Sequence, residues 1–129
     1  MGPRRCIRSS LIALGLGAIL PLGAGAQSLL DRVQGLYTPP AALDDPWDCE
    51  TLGADGGAVG IRGQTLIGVE NSCTFQNPFA IPGLDAMAFD LACSGEGMTY
   101  DGGRVLLVPL DGGLGLVRDG SVVIWDRCP

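Results

Sequence analysis

The chain contains no histidine and no lysine. Without histidine, the side chain that most readily moves protons near neutral pH is missing. Without lysine, there is no amine for Schiff-base chemistry and no P-loop phosphate clamp. Aromatic residues make up 5% of the chain, and Trp47, Trp125, Tyr37 and Tyr100 are too scattered to read as a stacking platform. Long apolar runs are also scarce. The one clear run, Leu11–Leu22, has 12 residues, short of the roughly 20 that cross a bilayer.

That run has a different meaning in its context. Arg4, Arg5 and Arg8 precede it, and Ala24-Gly25-Ala26 follows it. A basic, then apolar, then small-residue order is the pattern of a secretory signal peptide. Residues 1–26 are therefore expected to be removed, taking Cys6 with them. Residues 27–129 are expected to form a single disulfide-stabilised β domain in the periplasm or outside the cell, with no membrane attachment after cleavage.

All fourteen acidic residues lie in 27–129, against five arginines, which leaves a net charge of −9. Such a surface repels phosphate, which excludes nucleic acid as a partner. Its field draws in cations, so a cationic protein is the expected class of partner; solubility after export is the plainer account of the same charge.

Four cysteines remain after cleavage: Cys49, Cys73, Cys93 and Cys128. An even number in an exported domain of this size reads as a disulfide framework. Zinc would need four thiolates and usually shows a C-x-x-C pair, which is absent. No metal and no cofactor is expected.

Ser28 reads as the N-cap of a short helix carrying Leu29, Leu30 and Val33 on one face, with Gly35 ending it. Prolines 39, 40 and 46 make the next stretch an irregular arm that delivers Trp47 and Cys49. Period-two alternation then predicts strands. In "QTLIGVENSCTF", Ile67, Val69, Cys73 and Phe75 share one parity. In "DAMAFDLACSGEG", Met87, Phe89, Leu91 and Cys93 do the same. "AVGIR", "GRVLLVPL", "LGLVR" and "SVVIWDRC" complete about six strands, joined by Asp-Gly turns. The expected fold is all-β: a small antiparallel meander or barrel-like sheet with a short N-terminal helix and two disulfides.

Register follows from turn length. A three-residue turn at Pro82-Gly83-Leu84 sets Cys73 opposite Cys93 on the core face, so these two are paired, leaving Cys49 for Cys128. A three-residue turn at Asp111-Gly112-Gly113 and a two-residue turn at Asp119-Gly120 place Leu106, Val108, Leu110, Leu114, Leu116, Val123 and Trp125 on one core face. The second face, with Val105, Leu107, Val117, Val122 and Ile124, is too apolar for water. Either the helix covers part of it or a second copy does.

The stretch "ACSGEGMTY" then reads as a strand end and not as a reactive site. Cys93 has a partner, Asp90 and Glu96 would raise a thiol's pKa, and Ser94 is outside any G-x-S-x-G elbow. Asp44, Asp45, Asp48, Glu50 and Asp55 are hard oxygen ligands without EF-hand spacing, at most an adventitious calcium site. Glu50, Asp55 and Glu96 are the carboxylates an acid/base enzyme would use, but catalytic residues are not assigned, and the expectation is a non-enzyme.

The layout "DC…ENSC…ACSGEG…RCP" resembles small exported bacterial proteins of unknown function. Ser94, Gly95 and Tyr100 are also similar to the Ser-Gly element and nearby tyrosine of the periplasmic inhibitors of c-type lysozyme. That family's second, lysine-containing motif has no counterpart here. This likeness implies a β-barrel that binds through Ser94, Gly95, Glu96 and Tyr100, as an inhibitor of a basic hydrolase. An uncharacterised binding domain and a structural envelope protein are the other functions consistent with the residues.

Overall fold

A computed structural model describes residues 22–40 and 47–129. The expected signal segment therefore lies outside the described residues up to position 21, as do Asp44 and Asp45. One helix, α1 (Ala24–Arg32), is followed by eight strands: β1 (Gly35–Thr38), β2 (Val59–Arg62), β3 (Thr65–Gly68), β4 (Asn71–Ala80), β5 (Met87–Gly95), β6 (Met98–Leu110), β7 (Gly113–Arg118) and β8 (Ser121–Arg127). Each strand pairs antiparallel with the next, and β8 returns to β1, closing a barrel. No helix among the described residues is long and apolar enough to cross a membrane.

The strand count exceeds the expected six for two reasons. Gly35–Thr38, read as the helix end and the start of the irregular arm, pairs on both sides, with Val59–Ile61 and with Asp126–Arg127. The stretch around Ile67 is two strands, because Val69-Glu70 forms a tight turn that pairs Gly68 with Asn71. Leu66 rather than Ile67 is then the fully buried residue of β3.

Helix α1 begins four residues before Ser28, with Gly23 at its N-cap position and no side-chain cap. Ser28 is not a cap; it is an exposed residue inside the helix. The apolar stripe explains the earlier start. Ala26, Leu29, Leu30 and Val33 follow the i, i+3, i+4, i+7 spacing of one helical face, and all four are buried. The small-residue segment read as the processing site thus supplies the first turn of α1. Gly35 does not end the helix but opens β1.

The helix does not lie on an outer face of the sheet. Its stripe belongs to the same buried cluster as Tyr37, Ile61, Phe75, Phe89, Leu91, Val105, Leu107, Leu114 and Trp125. An eight-stranded barrel has an interior just wide enough for side chains to fill, and α1 plugs one end of it. The plug is fastened at that end. Arg32 pairs with Asp85 of the β4–β5 loop at 2.6 Å, and the Gln34 amide bonds the backbone of Gly63 in the β2–β3 turn.

The β6 face assignment is reversed relative to expectation. The β6–β7 turn has two residues, Asp111-Gly112, with Leu110 paired to Gly113 and Leu107 to Leu116. A one-residue change of turn length moves every side chain of a strand to the other face. Val105 and Leu107 are therefore core residues, whereas Leu106, Val108 and Leu110 point outward. The β7–β8 register is as expected, with Leu114 opposite Trp125 and Leu116 opposite Val123. Leu106, Val108, Leu110, Val117, Val122 and Ile124 form an outer apolar strip, in which Val122 is 76% and Ile124 54% exposed.

Both disulfides join the expected partners, Cys73 with Cys93 and Cys49 with Cys128. The first spans neighbouring strands β4 and β5. The second ties the β1–β2 arm to the chain end, and Cys128 N–H also donates to Leu36 C=O at 2.9 Å. Next to it, the Arg127 guanidinium donates to the Arg32 carbonyl at the C-terminus of α1, to the Gln34 carbonyl just beyond it and to the Tyr37 hydroxyl. Tyr37 in turn donates to Val33 C=O at 2.8 Å. Burial pushes the Tyr37 phenol up, an effect that the adjacent Arg127 cation offsets in part.

Removing the Cys49–Cys128 bridge (C49S/C128S) is expected to cost more stability than removing Cys73–Cys93. The closed loops span 79 and 20 residues, worth about 4.5 and about 3 kcal/mol in the chain-entropy account. Urea unfolding of the two double variants checks the order; a reversed ranking would count against loop closure as the source of the effect.

Candidate functional site

Strands β4, β5 and β6 are the longest in the barrel, and their outward parities carry polar residues. Ser72, Thr74 and Gln76 point out from β4, Asp90, Ala92 and Ser94 from β5, and Thr99 and Asp101 from β6. Regular strands would present these as a gently twisted surface. Two bulges bend it instead. On β4 the register shifts between Gln76 and Phe79; on β6 it shifts opposite Asp90 and Ala92. Bulges increase local twist and re-aim side chains, and here they flank Asp90 from both sides. The result is an open concavity of about 760 Å³.

The second bulge depends on a glycine. A Cβ on Gly102 would collide with Cys93 Sγ and sit 2.9 Å from Leu91 Cβ. Only a residue without a side chain lets β6 pass this close to the Cys73–Cys93 bridge, so the disulfide and the curvature of the face are coupled.

Asp90 is held at both oxygens. Arg104 Nε donates to Oδ1 at 3.0 Å, and Asn77 Nδ2 donates to Oδ2 at 2.9 Å. The Arg104 bond, reinforced by Asn77, keeps the Asp90 carboxyl below the usual carboxylate range. A carboxylate can accept about four hydrogen bonds, so acceptor capacity remains toward the concavity. Nearby, the Ser72 and Ser94 hydroxyl oxygens are 3.4 Å apart.

Backbone strain gathers around the same face. Three non-glycine residues have positive φ: Glu70 at 57°, Asn77 at 49° and Glu96 at 51°. Glu70 sits in the β3–β4 turn, Asn77 in the β4 bulge and Glu96 in the β5–β6 turn. Asparagine tolerates this region; glutamate gains nothing there and costs on the order of 1 kcal/mol or more. Glu70 and Glu96 stand in neighbouring hairpin turns at one end of the barrel, and Asn77 lies farther along β4 in the wall of the concavity.

The sequence-derived site residues divide accordingly. Ser94 and Tyr100 both line the concavity, and Tyr100 is 44% exposed although it pairs with Cys93. Gly95 lines a shallower neighbouring depression together with Glu70 and Asn71. Glu96 and Gly97 form the two-residue turn that joins β5 to β6, with Gly95 paired to Met98, so Glu96 stands at the tip of the hairpin. Asn77, Asp90, Arg104 and Gln76 were not singled out from sequence. The one available signal was the glycine pair Gly102-Gly103 inside an otherwise strand-like run, a mark of a bulge.

Other candidates have structural roles. Asp48 Oδ1 accepts from the Glu50 and Thr51 N–H groups at 3.0 Å, and the Thr51 bond foremost lowers its pKa. Glu50 and Asp55 are exposed in the same loop. Tyr37 and Trp125 are core residues with ring centroids 6.0 Å apart. Among the described residues, no group of three or more acidic or cysteine side chains is placed to hold a metal. No family model, curated protein or solved structure matches the chain.

Glu70→Gly and Glu96→Gly are expected to raise stability, each by about 1 kcal/mol, by relieving the left-handed backbone. Thermal or urea unfolding measures this. A loss of stability in both variants would show that the glutamate side chains hold these turns.

Proposed function

We propose that the protein is a non-catalytic exported binding domain, acting in the periplasm or outside the cell, which engages its partner through the β4–β6 face and the Ser94–Tyr100 hairpin. The observation that carries this reading is the convergence of both bulges and the positive-φ residue Asn77 on one polar concavity, beside hairpin turns in which Glu70 and Glu96 also have positive φ. Strain of this kind persists where the surrounding structure holds it, and it clusters at binding sites. The carboxylates with a displaced pKa, Asp48, Asp85 and Asp90, are all shifted downward. A general acid working near neutral pH needs the opposite shift. The four cysteines at positions 49, 73, 93 and 128 are joined in disulfides, which leaves none of these thiols for chemistry. The two disulfides also suit an oxidising compartment.

The sharper form is inhibition of a basic hydrolase such as c-type lysozyme. Charge supports it. Among the described residues only Asp85 and Asp90 carry an ion pair, so the remaining carboxylates, including Glu70 and Glu96 at neighbouring hairpin tips, project an unopposed negative field that steers cationic partners. The hairpin tip would enter the partner's cleft. Added protein is then expected to slow cell-wall lysis by a c-type lysozyme in a salt-dependent way, with Glu96→Gln weakening the effect. Unchanged lysis at high micromolar protein sinks this form.

The outer apolar strip around Val122 and Ile124 favours a second reading, a structural envelope protein that self-associates. Static light scattering is expected to show concentration-dependent growth in mass that Val122→Ser reduces; a stable monomer across the concentration range argues against it.

A further inference from the structure

We infer that the β4–β6 concavity binds an uncharged oligosaccharide, with Asp90, Asn77, Gln76 and Arg104 on its hydroxyl groups. This rests on the reading of that face as the binding face.

The lining chemistry selects the class. A sugar hydroxyl both donates and accepts, so a matching surface needs donors and acceptors closely interleaved. Asp90 and Asp101 supply acceptors only, Arg104 donors only, and Gln76, Asn77, Ser72, Thr74, Ser94 and Thr99 supply both.

The rival classes fit less well. An extended peptide is usually captured by adding a strand to a sheet edge; backbone of that kind lies at the rims of the patch, on β4 after Phe75 and on β6 before Val105, while β5 at its centre is paired on both sides. A hydrophobic ligand needs an apolar lining, whereas Leu91 and Cys93 beneath the concavity are 2% and 4% exposed. Two carboxylates against one guanidinium in the lining, within a chain of net charge −6, disfavour an anionic sugar.

The site is also preorganised. Asp90 is fixed from both flanking strands, so little side-chain freedom is lost on binding. Three strands spaced about 4.8 Å apart, and a run of about 14 Å from Ser72 to Gln76, make a patch the size of a few sugar rings.

The test is calorimetry and amide-shift mapping of the exported, oxidised protein with cellohexaose, N-acetylchitohexaose and, as the acidic counterpart, hexagalacturonate. Saturable binding of a neutral hexasaccharide is expected, with shifts centred on Ser72–Asn77, Asp90–Ser94 and Thr99–Arg104. Gln76→Ala should weaken it severalfold. Asn77→Gly, which keeps the positive φ while removing the amide, should weaken it severalfold without unfolding the protein. Arg62→Gln, on β2, should bind as the parent does. Absence of saturable binding to both neutral sugars, tighter binding of hexagalacturonate, or unchanged affinity in both Gln76→Ala and Asn77→Gly would overturn the assignment. If a cationic protein shifts this face while neither neutral sugar does, the sugar class falls and the binding face stands. If neither kind of partner shifts it, both fall.

Discussion

The barrel depends on a seam that is barely paired. Strand β1 meets β8 through two register pairs, Tyr37 with Arg127 and Thr38 with Asp126, whereas β5 and β6 share eight. An unclosed seam would expose two strand edges and open the core to water. The seam is reinforced from three directions. The Cys49–Cys128 bridge crosslinks the arm after β1 to the residue after β8. Cys128 N–H continues the ladder to Leu36. Arg127 reaches across to the carbonyls that α1 leaves unsatisfied at its C-terminus, where a cation is also favoured by the helix dipole. Strand pairing, helix plug and disulfide therefore converge on positions 127 and 128, and no one of them closes the barrel alone.

The far side of the molecule follows a different logic. There the long strands β4–β6 have pairing to spare, and the chain uses it to accommodate irregularity. The Cys73–Cys93 bridge and Gly102 lie directly under the β6 bulge, so the crosslink stiffens the segment in which the ladder is interrupted. The Asn77–Asp90–Arg104 chain spans the same three strands from outside. A face held from both sides can keep Asn77 in a sparsely populated backbone conformation without relaxing. Strain located where the scaffold is most redundant is a physical reason to look there for recognition.

Much of this was legible from sequence because register is arithmetic. Alternating parity and turn length gave the all-β class and both disulfides. The Cys73–Cys93 register was reached through two departures that cancel. The β4–β5 connection is one residue longer than the three-residue turn, with Ala80 opposite Met87, and the β4 bulge removes that residue before Gln76 meets Asp90. The same counting on Asp111-Gly112-Gly113 had no bulge to correct it, and it inverted β6. Period-two patterning was no help there, because Val105–Val108 is apolar at both parities. Of the site, Ser94 and Tyr100 were visible as a short motif. Asp90 and Arg104 were not, since their meeting depends on Gly102-Gly103 shifting the ladder, and no local pattern states which partner a bulged strand will face.

Charge and topology together narrow how such a molecule can bind. Four of the five arginines in the described residues are engaged within the fold: Arg32 and Arg104 on carboxylates, Arg118 and Arg127 on backbone carbonyls. They stabilise elements of the barrel and neutralise little of its surface. Closure leaves few strand edges, and the core buries no charged side chain among the described residues. What remains for recognition is side-chain chemistry on outer faces, under a long-range field of one sign. Such a field acts on approach and falls off over about 10 Å at moderate salt, whereas the polar concavity acts only on contact. The two features therefore govern different stages of one encounter. Under the proposed readings, a partner brought in by charge and one chosen by hydrogen-bond pattern would be the same molecule only if a basic protein presents a hydroxyl-rich surface; otherwise the two features would serve two kinds of ligand.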